Sequence, residues 1–212
     1  MHIQIAIRVL GLLMMMFSIT MLPPIFVSLI YHDGIQSIFL RAFAITFSVG
    51  FFLWLAFRRY DADMRIKDGF LITVLYYLAL GIFGALPFVD DQGPNLGIPD
   101  GLFESFSGLT TTGATVIIGL DSLPESILFY RQQLQWLGGM GIIVLAVAIL
   151  PMLGVGGMQL YRAETPGPVK DSKLTPRIKE TALALWSIYL GLTAICAAAY
   201  WAAGMSFFDA IC

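Results

Sequence analysis

The segment of the chain whose residues best fit a chemical task runs from Thr110 to Thr115 and reads Thr-Thr-Thr-Gly-Ala-Thr. Its β-branched residues resist helix formation, and Gly113 permits backbone angles that a residue with a Cβ avoids. An extended strand presents carbonyl oxygens, which can replace the hydration shell of a cation where the strand lines a water-filled path. The segment therefore predicts a cation site built from backbone oxygens, although the same residues taken alone also fit an ordinary loop.

A short helix is predicted directly before this segment. Pro99 and Asp100 suit the first turn of a helix, and Gly101 to Leu109 could form about three helical turns. This apolar stretch is too short to cross a bilayer, and it lies in an unusually long connection between apolar runs. A short helix followed by an extended return is typical of a pore loop. In such a loop the partial negative charge at the helix C-terminus points toward a cation.

The composition of the chain places these elements in a membrane. Hydrophobic residues make up 58% of the 212 residues and charged residues 12%, which is about half the charged share of a soluble domain. A helix needs about 20 residues to cross the hydrocarbon core, and an open strand would leave its backbone groups unpaired there. Five stretches predict membrane-spanning helices, namely Val9 to Tyr31, Ile38 to Phe57, Gly69 to Phe88, Leu134 to Leu153 and Thr181 to Met205. Pro23 and Pro24 are expected to bend or break the first, and Arg41 in the second to extend toward the lipid headgroups.

The basic residues are concentrated in two of the connections between these helices. Arg58 to Asp68 carries four Lys or Arg residues and Tyr161 to Glu180 carries five, whereas Tyr31 to Ser37 carries none. Val89 to Glu125 carries six acids and no base. Because basic loops remain in the cytoplasm, we predict a cytoplasmic N-terminus and a pore loop that enters from the outer side.

The charged residues near the predicted pore loop have two interpretations each. The acids of the outer connection form a solvated face or concentrate cations at a pore mouth; they are Asp90, Asp91, Asp100, Glu104, Asp121 and Glu125. Arg131 is either an anchor at the membrane interface or the partner of a nearby acid. The residues alone do not decide between these interpretations.

Glutamines and glycines follow in the predicted fourth helix. The glutamines line a water-filled vestibule or meet lipid headgroups at the end of the helix; they are Gln132, Gln133 and Gln135. The glycines permit close contact with another helix, an interpretation that we favour over a gating hinge; they are Gly138, Gly139 and Gly141.

Two motifs together carry a family resemblance. Phe106 to Thr115 reads Phe-Ser-Gly-Leu-Thr-Thr-Thr-Gly-Ala-Thr, and Gln135 to Gly141 reads Gln-Trp-Leu-Gly-Gly-Met-Gly. In this order they resemble the Trk/Ktr/HKT superfamily of potassium transporters, in particular its bacterial TrkH/TrkG type. The resemblance implies two N-terminal transmembrane helices followed by four tandem units of helix, pore loop and helix around one ion path.

The resemblance implies an all-α integral membrane fold that contains one and a half of these repeats. Residues 1–60 correspond to the two N-terminal transmembrane helices and residues 61–158 to the first helix, pore loop and helix repeat. Residues 159–212 correspond to a cytoplasmic loop and the first helix of a truncated second repeat. Phe208 to Ile211 repeats the aromatic, acidic, small and apolar pattern of Phe103 to Phe106, so a second pore helix is expected to begin there. We therefore expect the chain to be the N-terminal part of a longer transporter.

The resemblance also implies a function and its site residues. The function is potassium uptake across the bacterial inner membrane, through a selectivity filter of backbone carbonyls that binds K⁺. Thr111 and Thr112 would be the K⁺ ligands through their backbone oxygens, and Gly113 would keep the filter strand in shape. Thr110 and Ala114 are weaker candidates for the same role.

The partners that the resemblance implies are the lipid bilayer, a second copy in a homodimer, and a cytoplasmic ring of nucleotide-binding regulatory domains. Nucleic acid is not among them. The basic connection from Tyr161 to Glu180 either contacts such a ring or only determines topology. Channel-like transport and coupled symport both remain open, and selectivity for K⁺ over Na⁺ is implied by the resemblance alone.

Two other functions fit the sequence less well, a secondary carrier with a re-entrant loop and a structural or assembly subunit. A carrier usually needs a second interrupted helix in an inverted repeat, whereas the partial repeat in this chain has the same orientation. An enzyme is disfavoured because His2 and His32 are the only histidines and the chain holds no nucleophile or metal-ligand motif. Cys196 and Cys212 form no spaced framework for disulfides or a metal.

Overall fold

The computed structural model describes the backbone of residues 3–60, 66–152 and 174–212, and the side chains of residues 3–60, 68–141 and 183–212. These residues form α-helices joined by turns and loops, which confirms the predicted all-α fold. The helices are α1 (Ile3–Ser18), α2 (Leu22–Tyr31), α3 (Gln36–Phe57), α4 (Ile66–Gly84), α5 (Leu86–Val89), α6 (Ile98–Leu109), α7 (Glu125–Met152), α8 (Leu174–Ala202) and α9 (Phe207–Ile211). The chain divides into two compact units, Met1–Trp136 and Leu137–Cys212.

Four stretches of the described residues are long and apolar enough to cross a membrane. They coincide with the first, second, third and fifth predicted spans, and they are Ile3–Tyr31, Gln36–Phe57, Asp68–Val89 and Leu183–Ala202. The predicted fourth span, Leu134 to Leu153, coincides with α7, whose side chains are described only as far as residue 141. Its passage through a membrane therefore stays a prediction, as does the packing role of Gly138, Gly139 and Gly141.

The first apolar stretch is interrupted by one turn of 3-10 helix at Ile19–Met21, between α1 and α2. The interruption precedes Pro23 because a proline has no N–H to donate and its ring crowds the turn before it. The predicted break at the two prolines is therefore confirmed. The break in the helix leaves the carbonyl of Thr20 available, and it accepts a hydrogen bond from Nε2 of Gln133 at 2.8 Å. Gln133 thus binds the protein backbone through its amide nitrogen.

Helices α1 and α3 cross at a pair of glycines. A Cβ added to Gly11 would lie 2.6 Å from the carbonyl oxygen of Gly50, and a Cβ added to Gly50 would lie 2.8 Å from that of Gly11. Both distances are far shorter than a normal contact, so the two backbones approach closely only because neither residue has a side chain. The two N-terminal spans therefore form a tightly packed helical hairpin.

A buried aromatic cluster attaches the first part of α7 to α3 and to the corner between α4 and α5. The ring centroid of Tyr130 lies 5.5 Å from that of Phe39 and 5.4 Å from that of Phe88, and all three side chains are fully buried. The Tyr130 hydroxyl donates a hydrogen bond to the carbonyl of Gly84 at 2.9 Å, so its polar end is satisfied. This cluster fixes the base from which the candidate site is built.

Arg41 of α3 forms ion pairs with two acids. Its guanidinium lies 2.5 Å from a carboxylate oxygen of Asp90 and 3.7 Å from one of Asp91. Its position relative to the lipid headgroups stays a prediction. The acids follow α5, and the packing of α5 near α3 brings opposite charges together. Asp90 is therefore part of an ion pair and not a free acid of a solvated face.

In the second unit, α9 begins where a second pore helix is predicted. Oγ of Ser206 accepts a hydrogen bond from the backbone N–H of Asp209 at 3.1 Å, which caps the first turn. The role of this turn in a second repeat stays a prediction, and so does the division of the chain at residues 60 and 158. The basic connections lie partly outside the described residues, at 61–65 and 161–173, and the orientation in the membrane is still a prediction.

Candidate functional site

The site is built on α6, the short helix predicted before the Thr-rich segment. Gly97 precedes the helix, Pro99 lies in its first turn and Asp100 complements the positive end of its dipole. Its 12 residues give a length of about 18 Å, well short of a hydrocarbon core of about 30 Å. The predicted short helix is confirmed, and it ends at Leu109 as expected.

Close packing holds α6 in place on two sides. A Cβ at Gly81 of α4 would lie 2.2 Å from the ring of Phe106, so only a glycine leaves room for that side chain. On α6 itself, a Cβ at Gly108 would lie 3.2 Å from the Cβ of Leu134 on α7. Small residues thus let α6 sit directly against both helices, which fixes the position of its C-terminus.

The helix ends in a turn that satisfies its last carbonyl groups. The backbone N–H of Thr111 donates to the carbonyl of Gly108 at 2.9 Å, and that of Thr112 donates to Ser107 at 3.0 Å. This pair of bonds defines a Schellman motif, whose left-handed position is taken by Thr111 with φ of 58°. Glycine is usual at that position, and a β-branched residue there is strained by about 1 to 3 kcal/mol.

This turn corrects the predicted extent of the extended strand. The sequence predicts extended backbone from Thr110 onward, but Thr110 caps the helix with φ of −90° and ψ of 4°, and Thr111 is left-handed. The carbonyls at a helix end need donors, and that need overrides the preference of threonine for extended backbone. The irregular segment therefore begins at Thr112.

Gly113 adopts the backbone conformation expected for a glycine at this position, with φ of 72°. A Cβ there would lie 3.1 Å from Nε2 of Gln135, which places the Gln135 side chain beside the loop. A substitution at Gly113 would therefore meet both a strained backbone and a crowded neighbour.

Glu104 lies behind the loop and is fully buried, with 0% of its side chain exposed. Its carboxylate accepts hydrogen bonds from Oγ1 of Thr115 at 2.5 Å and from the backbone N–H of Val116 at 2.7 Å. It also forms an ion pair with Nε of Arg131 at 3.1 Å. The interpretation of all six acids as a solvated face is therefore wrong for Glu104, because the loop folds back over α6 and encloses it.

Arg131 connects this carboxylate to the loop backbone. Its Nη2 donates to the carbonyl oxygen of Gly113 at 3.1 Å, while its Nε binds Glu104. Of the two interpretations of Arg131, the structure supports the partner of a nearby acid. Sequence reasoning missed that both residues serve the loop. The sequence shows only that Arg131 is the first base after a long segment without any, and nothing in that pattern pairs it with Glu104.

The carbonyl oxygens of the loop fall into two groups. Those of Gly113 and Ala114 accept hydrogen bonds, from Arg131 and from Oγ of Ser107 at 2.6 Å respectively. Those of Thr111 and Thr112 accept none from the residues that the structure describes. Carbonyls without a protein donor are the ones available to a cation, so these two oxygens keep the capacity that the sequence predicts.

The hydroxyl groups of the loop are also partly engaged. Oγ1 of Thr110 lies 2.8 Å from the carbonyl oxygen of Phe106, to which it donates, and 2.8 Å from Oγ1 of Thr112. Oγ1 of Thr111 donates to the carbonyl of Thr110 at 2.7 Å, so that oxygen is less available than the two that follow. The geometry therefore ranks Thr110 below Thr111 and Thr112 as a source of backbone ligands.

Comparison with known proteins places the chain among transport proteins. A family model described as "TrkH: Cation transport protein" matches residues 35–212. The "Trk system potassium uptake protein TrkH" of Vibrio parahaemolyticus is 59% identical over 211 residues, and the TrkG protein of Escherichia coli K12 is 44% identical over 211 residues. Each alignment covers 100% of this chain and 44% of the relative.

A solved structure matches as well. The crystal structure of the potassium transporter TrkH from Vibrio parahaemolyticus superimposes with a TM-score of 0.85 at 52% sequence identity. The match covers 100% of this chain and 42% of that protein. The chain therefore spans less than half the length of the curated relatives and of the solved structure that it matches.

Proposed function

The chain belongs to the TrkH family of cation transport proteins, and from this premise we propose that it takes part in the uptake of potassium ions across a membrane. Membership confirms the resemblance carried by the two motifs, and it confirms the interpretation as a transport protein instead of an enzyme. Because the chain spans less than half of its relatives, the proposal concerns the part of the ion path that these residues supply.

One observation carries the proposal. A short helix, α6, ends in a loop in which two adjacent carbonyl oxygens, at Thr111 and Thr112, accept no hydrogen bond from the described residues. These oxygens are the proposed K⁺ ligands, since an ion that leaves water needs oxygen dipoles in place of its hydration shell. Gly113 shapes the loop, Thr110 is a weaker ligand, and Ala114 is weaker still because its carbonyl is occupied by Ser107.

The position of the loop at the C-terminus of α6 supports a cation as the ligand. The last carbonyl groups of a helix carry a partial negative charge of about half an elementary charge. The strained left-handed backbone at Thr111 supports a functional role as well, because such conformations concentrate at binding sites. Together these features favour a cation path over an ordinary surface loop.

One loop supplies only part of a coordination sphere. We place the remaining K⁺ ligands on further pore loops, in the arrangement of four tandem units that the family resemblance implies. The charge asymmetry of the connections supports a cytoplasmic N-terminus. The bacterial inner membrane is proposed from the family resemblance. A homodimer and a cytoplasmic ring of nucleotide-binding domains are proposed from the family resemblance.

The test uses two glycines with matched backbone strain. Gly113 has φ of 72° and Gly119, later in the same connection, has φ of 76°. An added Cβ would lie 3.1 Å from its nearest neighbour at Gly113 and 3.3 Å at Gly119. The Ser substitutions should therefore cost similar stability, but only Gly113→Ser changes the loop that carries the proposed ligands.

The measurement is K⁺ and Na⁺ flux into liposomes that contain the full gene product carrying this sequence. We expect Gly113→Ser to lower the K⁺/Na⁺ flux ratio severalfold and Gly119→Ser to leave it near that of the parent. Equal ratios in Gly113→Ser and the parent, at equal amounts of folded protein, would contradict the filter assignment. No cation flux from the parent would favour the alternative of a structural or assembly subunit.

A further inference from the structure

Glu104 and Arg131 form a buried ion pair, and each partner also holds the backbone of the candidate loop. The side chain of Glu104 is 0% exposed and that of Arg131 is 11% exposed. The carboxylate reaches forward to Thr115 and Val116, while the guanidinium reaches back to the carbonyl of Gly113. The pair therefore connects α6, α7 and both sides of Ala114.

The further contacts of this pair show which part of the fold it holds. Two charges taken out of water cost free energy that their mutual attraction offsets only when further hydrogen bonds satisfy them. Among the described residues, the further hydrogen bonds of this pair go to the loop, at Gly113, Thr115 and Val116. Another ion pair, Arg41 with Asp90, is half exposed on its basic side, and its residues make no hydrogen bond or ion pair with the loop in the part of the chain that the structure describes.

The carbonyl oxygens of the loop differ in whether they accept a hydrogen bond from the pair. Arg131 donates a hydrogen bond to the carbonyl oxygen of Gly113. Because this oxygen is directed at the guanidinium, it is not directed at a transported K⁺. The oxygens of Thr111 and Thr112, immediately before it, have no donor among the described residues. The bond to Gly113 therefore fixes the direction of the loop that carries the proposed ligands.

The two charges also balance each other beside the ion path. Without the carboxylate of Glu104, the guanidinium of Arg131 would present an uncompensated positive charge at the loop and would repel K⁺. Without Arg131, the carboxylate would attract cations of any kind, while the Gly113 carbonyl would lose its donor. The two partners therefore affect ion binding in opposite directions, although both hold the same backbone.

We propose, on the basis of the function proposed above, that Glu104 and Arg131 are positioning residues that set the K⁺ selectivity of the loop by fixing the Gly113 carbonyl and balancing charge behind it. Neither residue touches the ion. Both act through the backbone of residues 113–116, to which they are bound.

The test compares Glu104→Gln, Arg131→Gln, the double variant and Arg41→Gln in the full gene product carrying this sequence, in liposomes. Arg41→Gln is the control, since it breaks an ion pair that does not touch the loop. We expect the K⁺/Na⁺ flux ratio to fall severalfold in both single variants and to stay at the parent value in Arg41→Gln. We expect the KM for K⁺ to rise in Glu104→Gln and not to rise in Arg131→Gln.

The double variant separates positioning from folding. Replacing both partners of a buried pair removes the unpaired charge, so thermal stability should return toward that of the parent. The K⁺/Na⁺ ratio should remain low, because a glutamine at position 131 is too short to reach both the side chain at position 104 and the Gly113 carbonyl. If the single variants do not fold, the double variant still carries this test.

Two results would overturn the proposal. One is a flux ratio in the double variant that returns to the parent value together with thermal stability, which would mean that the pair only stabilises the fold. The other is a K⁺/Na⁺ flux ratio in the Glu104 and Arg131 variants that equals the ratio in Arg41→Gln at equal amounts of folded protein. A parent without K⁺ flux would instead contradict the proposed function, and a parent that responds to Gly113→Ser but not to these variants would contradict only the positioning role.

Discussion

Oδ2 of Asp33, in the turn between α2 and α3, accepts a hydrogen bond from the backbone N–H of Ser126 at 3.2 Å. The two residues are 93 positions apart in the chain. Ser126 lies in the first turn of α7, whose first N–H groups have no partner within the helix. Asp33 thus caps a helix from a distant turn, and its other oxygen accepts from Ser28 and from the backbone N–H of Ile35.

The first prediction concerns the pH dependence of this cap. Burial raises the pKa of Asp33, but hydrogen bonds from Ser126, Ser28 and Ile35 outweigh it and lower the pKa below the ordinary value of 3.8. A carboxyl group with a lowered pKa contributes stability above its unfolded pKa, and this stability is lost as pH falls through the folded value. We expect Asp33→Asn to destabilise the protein by about 1 kcal/mol at pH 6, because a carboxylate accepts stronger hydrogen bonds than an amide and interacts favourably with the helix dipole. The loss should shrink as the pH approaches 3.

Thermal unfolding in detergent between pH 3 and pH 7 measures this difference. Asp91→Asn is the control, because the Asp91 side chain is 82% exposed. Its midpoint should follow that of the parent at every pH. If the loss of stability in Asp33→Asn relative to the parent stays constant from pH 3 to pH 7, the carboxylate charge does not stabilise the cap.

The second prediction concerns the strained threonine at the end of α6. Thr111 has φ of 58°, so Thr111→Gly should relieve strain and raise stability by about 1 kcal/mol. At Thr112, whose φ is not positive, the same substitution should lower stability because glycine gains more freedom in the unfolded chain. Thermal midpoints of the two variants test this directly. A loss of stability in Thr111→Gly would show that its side-chain bond to the Thr110 carbonyl outweighs the strain.

The third prediction concerns the crossing of α1 and α3. Gly11→Ala places a Cβ 2.6 Å from backbone atoms of α3, which cannot move without shifting the helix. We expect a loss of about 1 to 3 kcal/mol, the usual cost of an overpacked core. Gly69→Ala in α4 is the matched control, because nothing lies within 4 Å of a Cβ there. Equal thermal midpoints for the two variants would mean that the helices separate at little cost.

The fourth prediction concerns orientation in the membrane. With Cys196 and Cys212 replaced by serine, a single cysteine at the exposed Asp91 should react with an impermeant maleimide added to intact cells. A single cysteine at the exposed Arg59 should react only after permeabilisation, since its connection is basic. Reversed labelling would place the N-terminus outside and would make the pore loop enter from the cytoplasm.

Much of the fold followed from local sequence. The apolar runs, the break before Pro23 and the short helix that begins near Pro99 all depend on residues within one or two turns of each other. The length of an apolar run and the missing N–H of proline act at that range, so their effects can be predicted without a structure. The positive φ of Gly113 was predictable for the same reason, because only glycine adopts it freely.

The start of the extended segment was not predictable from residue preference. Threonine favours extended backbone, but the carbonyl groups at the end of α6 require hydrogen-bond donors. Thr111 adopts a left-handed backbone conformation, which places the N–H groups of Thr111 and Thr112 against these carbonyls. A preference of a few tenths of a kcal/mol per residue is smaller than the cost of unsatisfied buried polar groups. The helix end therefore decided the conformation of the residues that follow it.

The sequence by itself determined the membrane class, the helices and the family, because each depends on composition, short-range pattern or motif order. Only the tertiary structure decided what the charges do. Glu104 meets Arg131 across 27 positions and Arg41 meets Asp90 across 49, and no local pattern encodes those separations. The partner of a charge is set by which helices pack together, and that packing depends on distant glycines and aromatic residues such as Gly81 and Tyr130.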